Sequence, residues 1–285
     1  MTYERHGVAP PESAPCFYPG LDMAFRGPER SLEGPYVTFL GGTSFYGKYA
    51  ETAIPDRVEA VTGHACVNLG VMNAGLDLMR SDPMLSVAEK GAATVIELVA
   101  AQNMSNRFYR VHPRRNDRFV APTRLLRKAF PELDLSEIHF TRHLLRLMQM
   151  TSPARFETVV EELRASWVEG MCALLRALEG PRILLWLVPK PAEGTDRMAQ
   201  EPFLVDRAAV HAVSELADSV VEVRETAALR ARGFAGMQVP DTHARILSAL
   251  PRAALLDEAA LSLLDPLHRI GIGPGRAGVQ ETLAG

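Results

Sequence analysis

The chain has 285 residues, 47% hydrophobic and 23% charged, with a formal net charge of −3. A chain of this length and balance buries a large core without staples, and its slightly negative total gives no pull toward nucleic acid or anionic lipid. Cys16, Cys66 and Cys172 have neither metal-ligand spacing nor the even count of a disulfide framework, so they read as small buried hydrophobes. No basic-then-apolar leader opens the chain, and no apolar run approaches the roughly 20 residues that span a bilayer. A cytoplasmic location without membrane contact is the expectation.

Residues 1–35 are punctuated by Pro10-Pro11, Pro15, Pro19, Gly27-Pro28 and Gly34-Pro35, which forbid long regular structure. They read as an irregular arm anchored by Phe17, Tyr18, Met23 and Phe25. Val37 to Leu40 is a first strand, apolar enough to be covered on both faces. A glycine turn follows, then a helix from about Tyr46 to Thr62 that Pro55 kinks or splits. Cys66 to Leu69 is a second strand, with helices near 76–80 and from Asp82-Pro83. Thr94 to Val99 is a third strand, rich in β-branched residues.

Residues 100–122 read as a long functional loop. Helices are expected near 123–129, 136–150 and 153–178, with Ser136 and Ser152 as N-caps. In the last of these, Phe156, Val159, Val160, Leu163, Trp167, Met171, Leu174 and Leu175 form one apolar stripe at helical spacing. Residues 182–188 are a fourth strand and Pro189 to Pro202 a loop at its carboxyl end. A helix over 205–217 leads to a fifth strand, 219–223. Helices near 243–250 and 255–264 follow, then a glycine-rich tail from Gly271. Strands alternating with helices imply an α/β three-layer sandwich around a five-stranded, mostly parallel sheet. The expected organisation is an arm over 1–35, a single α/β domain over 36–270 and a loose tail over 271–285.

Three loops follow strands one to three: Gly41-Gly42-Thr43-Ser44, Gly70-Val-Met-Asn-Ala-Gly75 and Ala101-Gln102-Asn103-Met-Ser-Asn106. Small and amide residues leave backbone N–H groups free to face a ligand, as an oxyanion requires. A second signal is arginine. Arg107, Arg110, Arg114, Arg115 and Arg118 crowd a short span that also holds His112. Guanidinium groups recognise carboxylate, phosphate or sulfate in a two-pronged manner. The alternative is a solvated span pairing with Asp117, Glu132 and Asp134. His139 and His143 stand four apart, a spacing that one helix face can use for a metal, but no third ligand is evident. The first glycine turn is neither a P-loop nor a dinucleotide fingerprint.

These blocks resemble the SGNH, or GDSL-like, hydrolases. Gly41-Gly42-Thr43 stands where that family has Gly-Asp-Ser, Asn68-Leu-Gly70 is similar to its second block, and Asn103 to the Asn of its third. Asp265-Pro-Leu-His268 and Asp241-Thr-His243 are both similar to its final Asp-x-x-His. The resemblance implies an SGNH-hydrolase or flavodoxin-like fold with Thr43 or Ser44 as nucleophile. It further implies Gly70 and Asn103 at the oxyanion, and His243 or His268 as base, oriented by Asp241 or Asp265. Gly41, Gly42, Gln102 and Asn106 would then flank the substrate. The whole chain also resembles a family of alphaproteobacterial proteins of unknown function. The likeness runs through Phe25-Arg-Gly-Pro28, Phe39-Leu-Gly-Gly-Thr43, Ala101 to Tyr109, His112 to Arg118 and Phe140-Thr-Arg-His143.

The leading expectation is an ester hydrolase or group transferase acting on a small substrate whose anionic part the Arg-rich loop holds. It needs no cofactor and no nucleic-acid partner. Two alternatives stand beside it. One is a sulfotransferase-like or nucleotide-using enzyme whose glycine turn cradles a phosphate at a helix N-terminus. The other is a catalytically inactive module that keeps the pocket for binding.

Overall fold

The computed structural model describes residues 15–188, 201–239 and 250–273. The described part of the arm carries two short antiparallel strands, β1 (Pro15–Cys16) and β2 (Phe25–Arg26). Next come β3 (Tyr36–Gly41), the single turn α1 (Thr43–Tyr46), α2 (Ile54–Thr62) and β4 (Ala65–Gly70). Two short helices, α3 (Leu76–Met79) and α4 (Asp82–Ala88), lead to β5 (Ala93–Glu97). A hairpin of β6 (Tyr109–His112) and β7 (Arg115–Pro122) precedes α5 (Arg124–Ala129), α6 (Thr141–Thr151) and α7 (Pro153–Ala177). The chain then runs through β8 (Arg182–Val188), α8 (Arg207–Ser214), β9 (Ser219–Arg224), α9 (Ala227–Ala231) and α10 (Ala253–Arg269).

The central sheet has the order β4-β3-β5-β8-β9, and every neighbouring pair is parallel. In order of appearance these strands run 2-1-3-4-5, so the order reverses between β3 and β5. Chains leaving those two strands diverge to opposite faces, which opens a crevice at the carboxyl edge of the sheet. Side chains alternate between two cores, as the pleat demands. Leu40, Leu69, Ile96 and Leu184 meet Phe156, Leu163 and Trp167 of α7 on one face. Val37, Phe39, Val95 and Leu185 meet Val58 of α2 and Leu263 of α10 on the other. The buried Trp167 donates its indole N–H to the Val99 carbonyl at 2.8 Å, fixing α7 to the segment that leaves β5.

The α/β three-layer arrangement and its five-stranded sheet are thus as expected, and several local expectations change. The helix read over Tyr46 to Thr62 is two helices. Gly47 ends α1 in the left-handed region at φ 63°, and Pro55 sits in the first turn of α2, where its missing N–H costs nothing. Arg26 holds the connection between them. Its guanidinium donates to the Gly47 carbonyl, to Tyr46 O at 3.4 Å, to Ala50 O at 2.8 Å and to Glu51 O at 3.1 Å. Residues 109–122 form a hairpin rather than a loop. Its Tyr109 hydroxyl donates to Gln102 O at 2.8 Å and ties it to the segment after β5.

Ser136 caps no helix: its N–H and hydroxyl donate to Asp134 Oδ1 at 2.9 and 2.7 Å in a local turn. The helix starts at Thr141, so His139 precedes it and the two histidines share no helix face. Among the described residues no cluster of His, Cys, Asp and Glu able to hold a metal is found. Ser152 caps α7 as expected, accepting the Arg155 N–H. In the arm, Tyr18 and Phe25 are buried while Phe17 is exposed. Cys16 and Cys66 are buried, Cys172 is half-buried, and all three are free thiols. Most of the expected Pro189–Pro202 loop, the helix near 243–250 and most of the tail lie outside the described residues. Among the described residues no helix is long and apolar enough to cross a membrane.

Candidate functional site

The crevice between β3 and β5 holds a pocket of about 450 Å³. Gly42, Thr43 and Ser44 line it from the β3 side, and residues 97–100 with Gln102 and Asn103 line it from the β5 side. The register explains why these meet. Leu40 lies opposite Ile96, so the next residues, Gly41 and Glu97, stand side by side and point to one face.

Glu97 is one element of the site that sequence reasoning missed, as are Asn73 and Arg142. Its carboxylate lies buried under the glycine turn. Oε2 accepts the Gly42 N–H at 2.7 Å and the Phe45 N–H at 3.4 Å, and both the hydroxyl and the N–H of Ser44 also bond the carboxylate. Burial pushes the Glu97 carboxyl above its usual value, opposed by the Ser44 hydroxyl and the backbone donors. Gly41 leaves the space for it, since a Cβ there would lie 2.6 Å from Glu97 Cβ. One signal was legible. A lone carboxylate ends an otherwise apolar, β-branched strand, at the carboxyl edge where such sheets bind ligands.

The two hydroxyl candidates separate clearly. Ser44 is buried and committed to Glu97. Thr43 is half-buried, lines the pocket, and its Oγ1 accepts the Asn73 N–H at 3.0 Å. Asn73 holds the left-handed conformation at φ 56°, which an amide side chain tolerates and which swings its N–H onto Thr43. Asn103 Nδ2 donates to Asn73 O at 3.2 Å, and Asn103 Oδ1 accepts the Thr141 hydroxyl at 3.1 Å. The Asn103 amide is therefore oriented on both sides and still carries a second N–H. Asn73 Nδ2 in turn reaches Asp117 Oδ2 at 3.4 Å, and Asp117 also lines the pocket.

Gly70 does not belong to this donor set. Its N–H goes to Asn68 Oδ1 at 2.8 Å, and its α-carbon presses on the backbone of Phe45 and Tyr46. Its role is close packing of β4 against α1, and Asn73 is the residue of that loop whose N–H meets the hydroxyl. Gly75 is equally a packing residue. A Cβ there would run into the Asn103 carbonyl oxygen, and its N–H donates to Asn116 Oδ1 at 2.7 Å. Asn116 is fully buried, also accepts from Leu78 N–H at 3.2 Å, and so locks the hairpin onto α3.

The five arginines of residues 107–118 are not among the described residues that line the pocket. Arg107 pairs with Glu162 at 3.5 Å and Arg114 with Asp22 at 2.6 Å, both on the surface. Arg110 and Arg115 are exposed. Arg118 stacks on the Phe140 ring, its Cζ 4.4 Å from the centroid. His112 Nδ1 accepts the N–H groups of Arg114 and Arg115, which makes it a hairpin-turn residue. Asn106 bonds Met104 O, Phe108 N–H and Tyr109 N–H, and shapes its own loop. The arginine span thus reads as β-ladder and surface pairing, which the alternation of Tyr109 to His112 forecast and the count of guanidinium groups obscured.

Leu255, near the start of α10, lines the pocket, while His268 lies 13 residues further along the same helix. At 1.5 Å per residue that is about 20 Å along the axis. His268 is exposed there, and Asp265 pairs with Arg269 at 3.2 Å. The Asp265–His268 pair is therefore out of reach of Thr43. Asp241 and His243 lie outside the described residues.

The model of a family described as Domain of unknown function (DUF6473) matches residues 1–271. No curated protein matches the sequence. Among solved structures, protein YxiM of Bacillus subtilis aligns at 14% identity and a TM-score of 0.41, over 84% of this chain and 58% of that one. A carbohydrate esterase family 2 enzyme with a carbohydrate-binding domain, from Corynascus thermopiles (Myceliophthora fergusii), aligns at 12% identity and a TM-score of 0.40. That alignment covers 87% of this chain and 69% of the other. The chain thus spans 58% of the length of the first of these structures.

Proposed function

For a chain that belongs to the DUF6473 family, we propose an ester hydrolase or group transferase whose nucleophile is the Thr43 hydroxyl. The observation that carries this is the Asn73 N–H, 3.0 Å from Thr43 Oγ1 inside a pocket that Asn103 also lines. A hydroxyl held beside two oriented N–H donors is what acyl transfer needs. Thr43 Oγ1 attacks the carbonyl carbon, its proton leaves to a base, and the carbonyl oxygen turns toward Asn73 N–H and Asn103 Nδ2. Collapse breaks the C–O bond to the alcohol, which departs with a proton. The acyl-threonine then passes its acyl group to water or to an acceptor hydroxyl. With His268 out of reach, His243 is the base that the experiment addresses.

Glu97 bears on the alternatives. Its carboxylate takes the Gly42, Ser44 and Phe45 N–H groups, the donors that a nucleotide phosphate would need at the first turn. That arrangement speaks against the phosphate-cradle reading. The inactive binding module remains a second reading, favoured by one observation: among the described residues no imidazole lines the pocket.

A panel of short-chain chromogenic esters tests the proposal on the full chain. Thr43→Ala is expected to lower kcat/KM by about 100-fold or more, the scale of losing an activated nucleophile or its base. Thr43→Ser is expected to keep turnover, and His243→Ala to lower kcat. Equal rates for wild type and Thr43→Ala rule the mechanism out, and a wild type that turns over no ester leaves the binding module.

A further inference from the structure

Arg142 stands in the first turn of α6, where Phe140, Thr141 and Arg142 line the pocket wall. Among the described residues of that lining it is the one cation, and its Nη2 pairs with Glu201, which lines the same pocket. Both side chains keep substantial exposure, 40% and 39%. Solvent that reaches the pair screens it, and the burial that raises the Glu201 carboxyl above its usual value weakens its hold on the guanidinium, although the Phe203 N–H also bonds that carboxylate. The other lining carboxylates are engaged elsewhere. Glu97 is locked under the glycine turn, and Asp117 receives the Asn73 amide. No acidic residue sits in the first turn of α6, and no side chain caps it, so the positive end of the helix adds to the guanidinium.

We propose that Arg142 is the carboxylate-binding subsite of this pocket, with Glu201 as its resident stand-in, and that a carboxylate on the ligand displaces Glu201 from the guanidinium. The guanidinium fork accepts a carboxylate or a phosphate alike, and two features favour the carboxylate. The group it holds in the free protein is itself a carboxylate. Asp117 on the same lining repels a doubly charged phosphate. The ligand class is then a small ester with a free carboxylate, of the kind a half-ester of a dicarboxylic acid presents. The substrate assignment rests on the ester reading, whereas the subsite itself is read by binding alone.

Calorimetry on the full chain with monomethyl succinate, and with uncharged dimethyl succinate as its control, tests this. Wild type is expected to bind the half-ester and not the diester. Arg142→Gln is expected to weaken binding at least tenfold. Glu201→Gln is expected to tighten it about threefold to tenfold, because the competing carboxylate is gone while the guanidinium stays. If Arg142→Gln fails to fold, Arg142→Lys keeps the charge and loses the fork, and is expected to bind several-fold more weakly than wild type. Unchanged or weaker binding in Glu201→Gln overturns the subsite, as does unchanged binding in the Arg142 variants, or phosphate bound better than the half-ester. Half-ester binding without turnover defeats the ester reading and leaves the subsite standing. Turnover of both esters with no preference for the charged one does the reverse.

Discussion

Glu97 Oε2 receives the Gly42 N–H at 2.7 Å from the neighbouring strand, so a carboxylate in the sheet interior closes the turn that carries Thr43. The donors converge because Gly41 has no side chain and β5 runs in register beside β3. The turn is thus built around an internal carboxyl group, and in the proposed mechanism the substrate's developing charge is left to Asn73 and Asn103.

A pH dependence of stability follows. Burial holds the native Glu97 carboxyl above the 4.5 of an ordinary glutamate, against the pull of its hydrogen bonds. A raised native value means that folding favours the protonated form. Its contribution is therefore full below about pH 4.5 and is lost as pH rises through the native value. Glu97→Gln removes this titration. The stability difference between variant and wild type, from urea midpoints at about pH 4 to about pH 8, should shift in favour of the variant as pH rises. A pH-independent difference would show that Glu97 does not titrate with folding. Glu97→Ala should destabilise at every pH, by about 1–3 kcal/mol for each N–H left buried and unpaired.

Gly75→Ala should cost more than an ordinary surface change. The new Cβ meets the Asn103 backbone, which cannot yield as a flexible side chain would. Overpacking of this kind costs about 1–3 kcal/mol or more. If Asn103 donates to the oxyanion as proposed, ester turnover should fall further than stability. Chemical denaturation and kcat measured on the same preparation separate the two.

Much of the sheet was legible because its strands are continuous apolar runs between glycine, proline and charge. Residues 182–188 form β8 just as read, and the strands at Cys66 and Ser219 shift by a residue at their ends. That Thr43 and Asn103 meet at one pocket was legible for a related reason, since loops at the carboxyl edge of a parallel sheet come together whatever their sequence. Gly70 and the arginines misled because residue type does not show direction. Gly70 faces the back of α1, and the guanidinium groups of Arg107, Arg114 and Arg118 turn toward Glu162, Asp22 and the Phe140 ring. Glu97, Asn73 and Arg142 act through pairings across the fold, at separations no local window reaches.

Arg26 should be worth more than any hairpin arginine. Its guanidinium, 5% exposed as a residue, satisfies carbonyls over Tyr46 to Glu51, and charged donors to buried carbonyls contribute about 1.5–3 kcal/mol. Arg26→Ala should lower the melting temperature markedly, and Arg26→Lys should recover only part of it because an ammonium has no fork. A loss as small as that of a surface arginine would mean that solvent satisfies those carbonyls instead.

Arg107→Ala and Arg114→Ala should each change stability by less than about 1 kcal/mol, as exposed pairs do. Half-ester binding should also stay at the wild-type level, because neither side chain lines the pocket. A drop in that affinity would return the anion to the hairpin.

The chain leaving β5 is nailed down from two sides, at Val99 by the Trp167 indole of α7 and at Gln102 by the Tyr109 hydroxyl of the hairpin. A small molecule arriving on this stretch meets backbone that is already fixed on two sides. Along residues 99–102 little backbone order remains to be created on docking, and amide exchange there should be slow even in the empty protein.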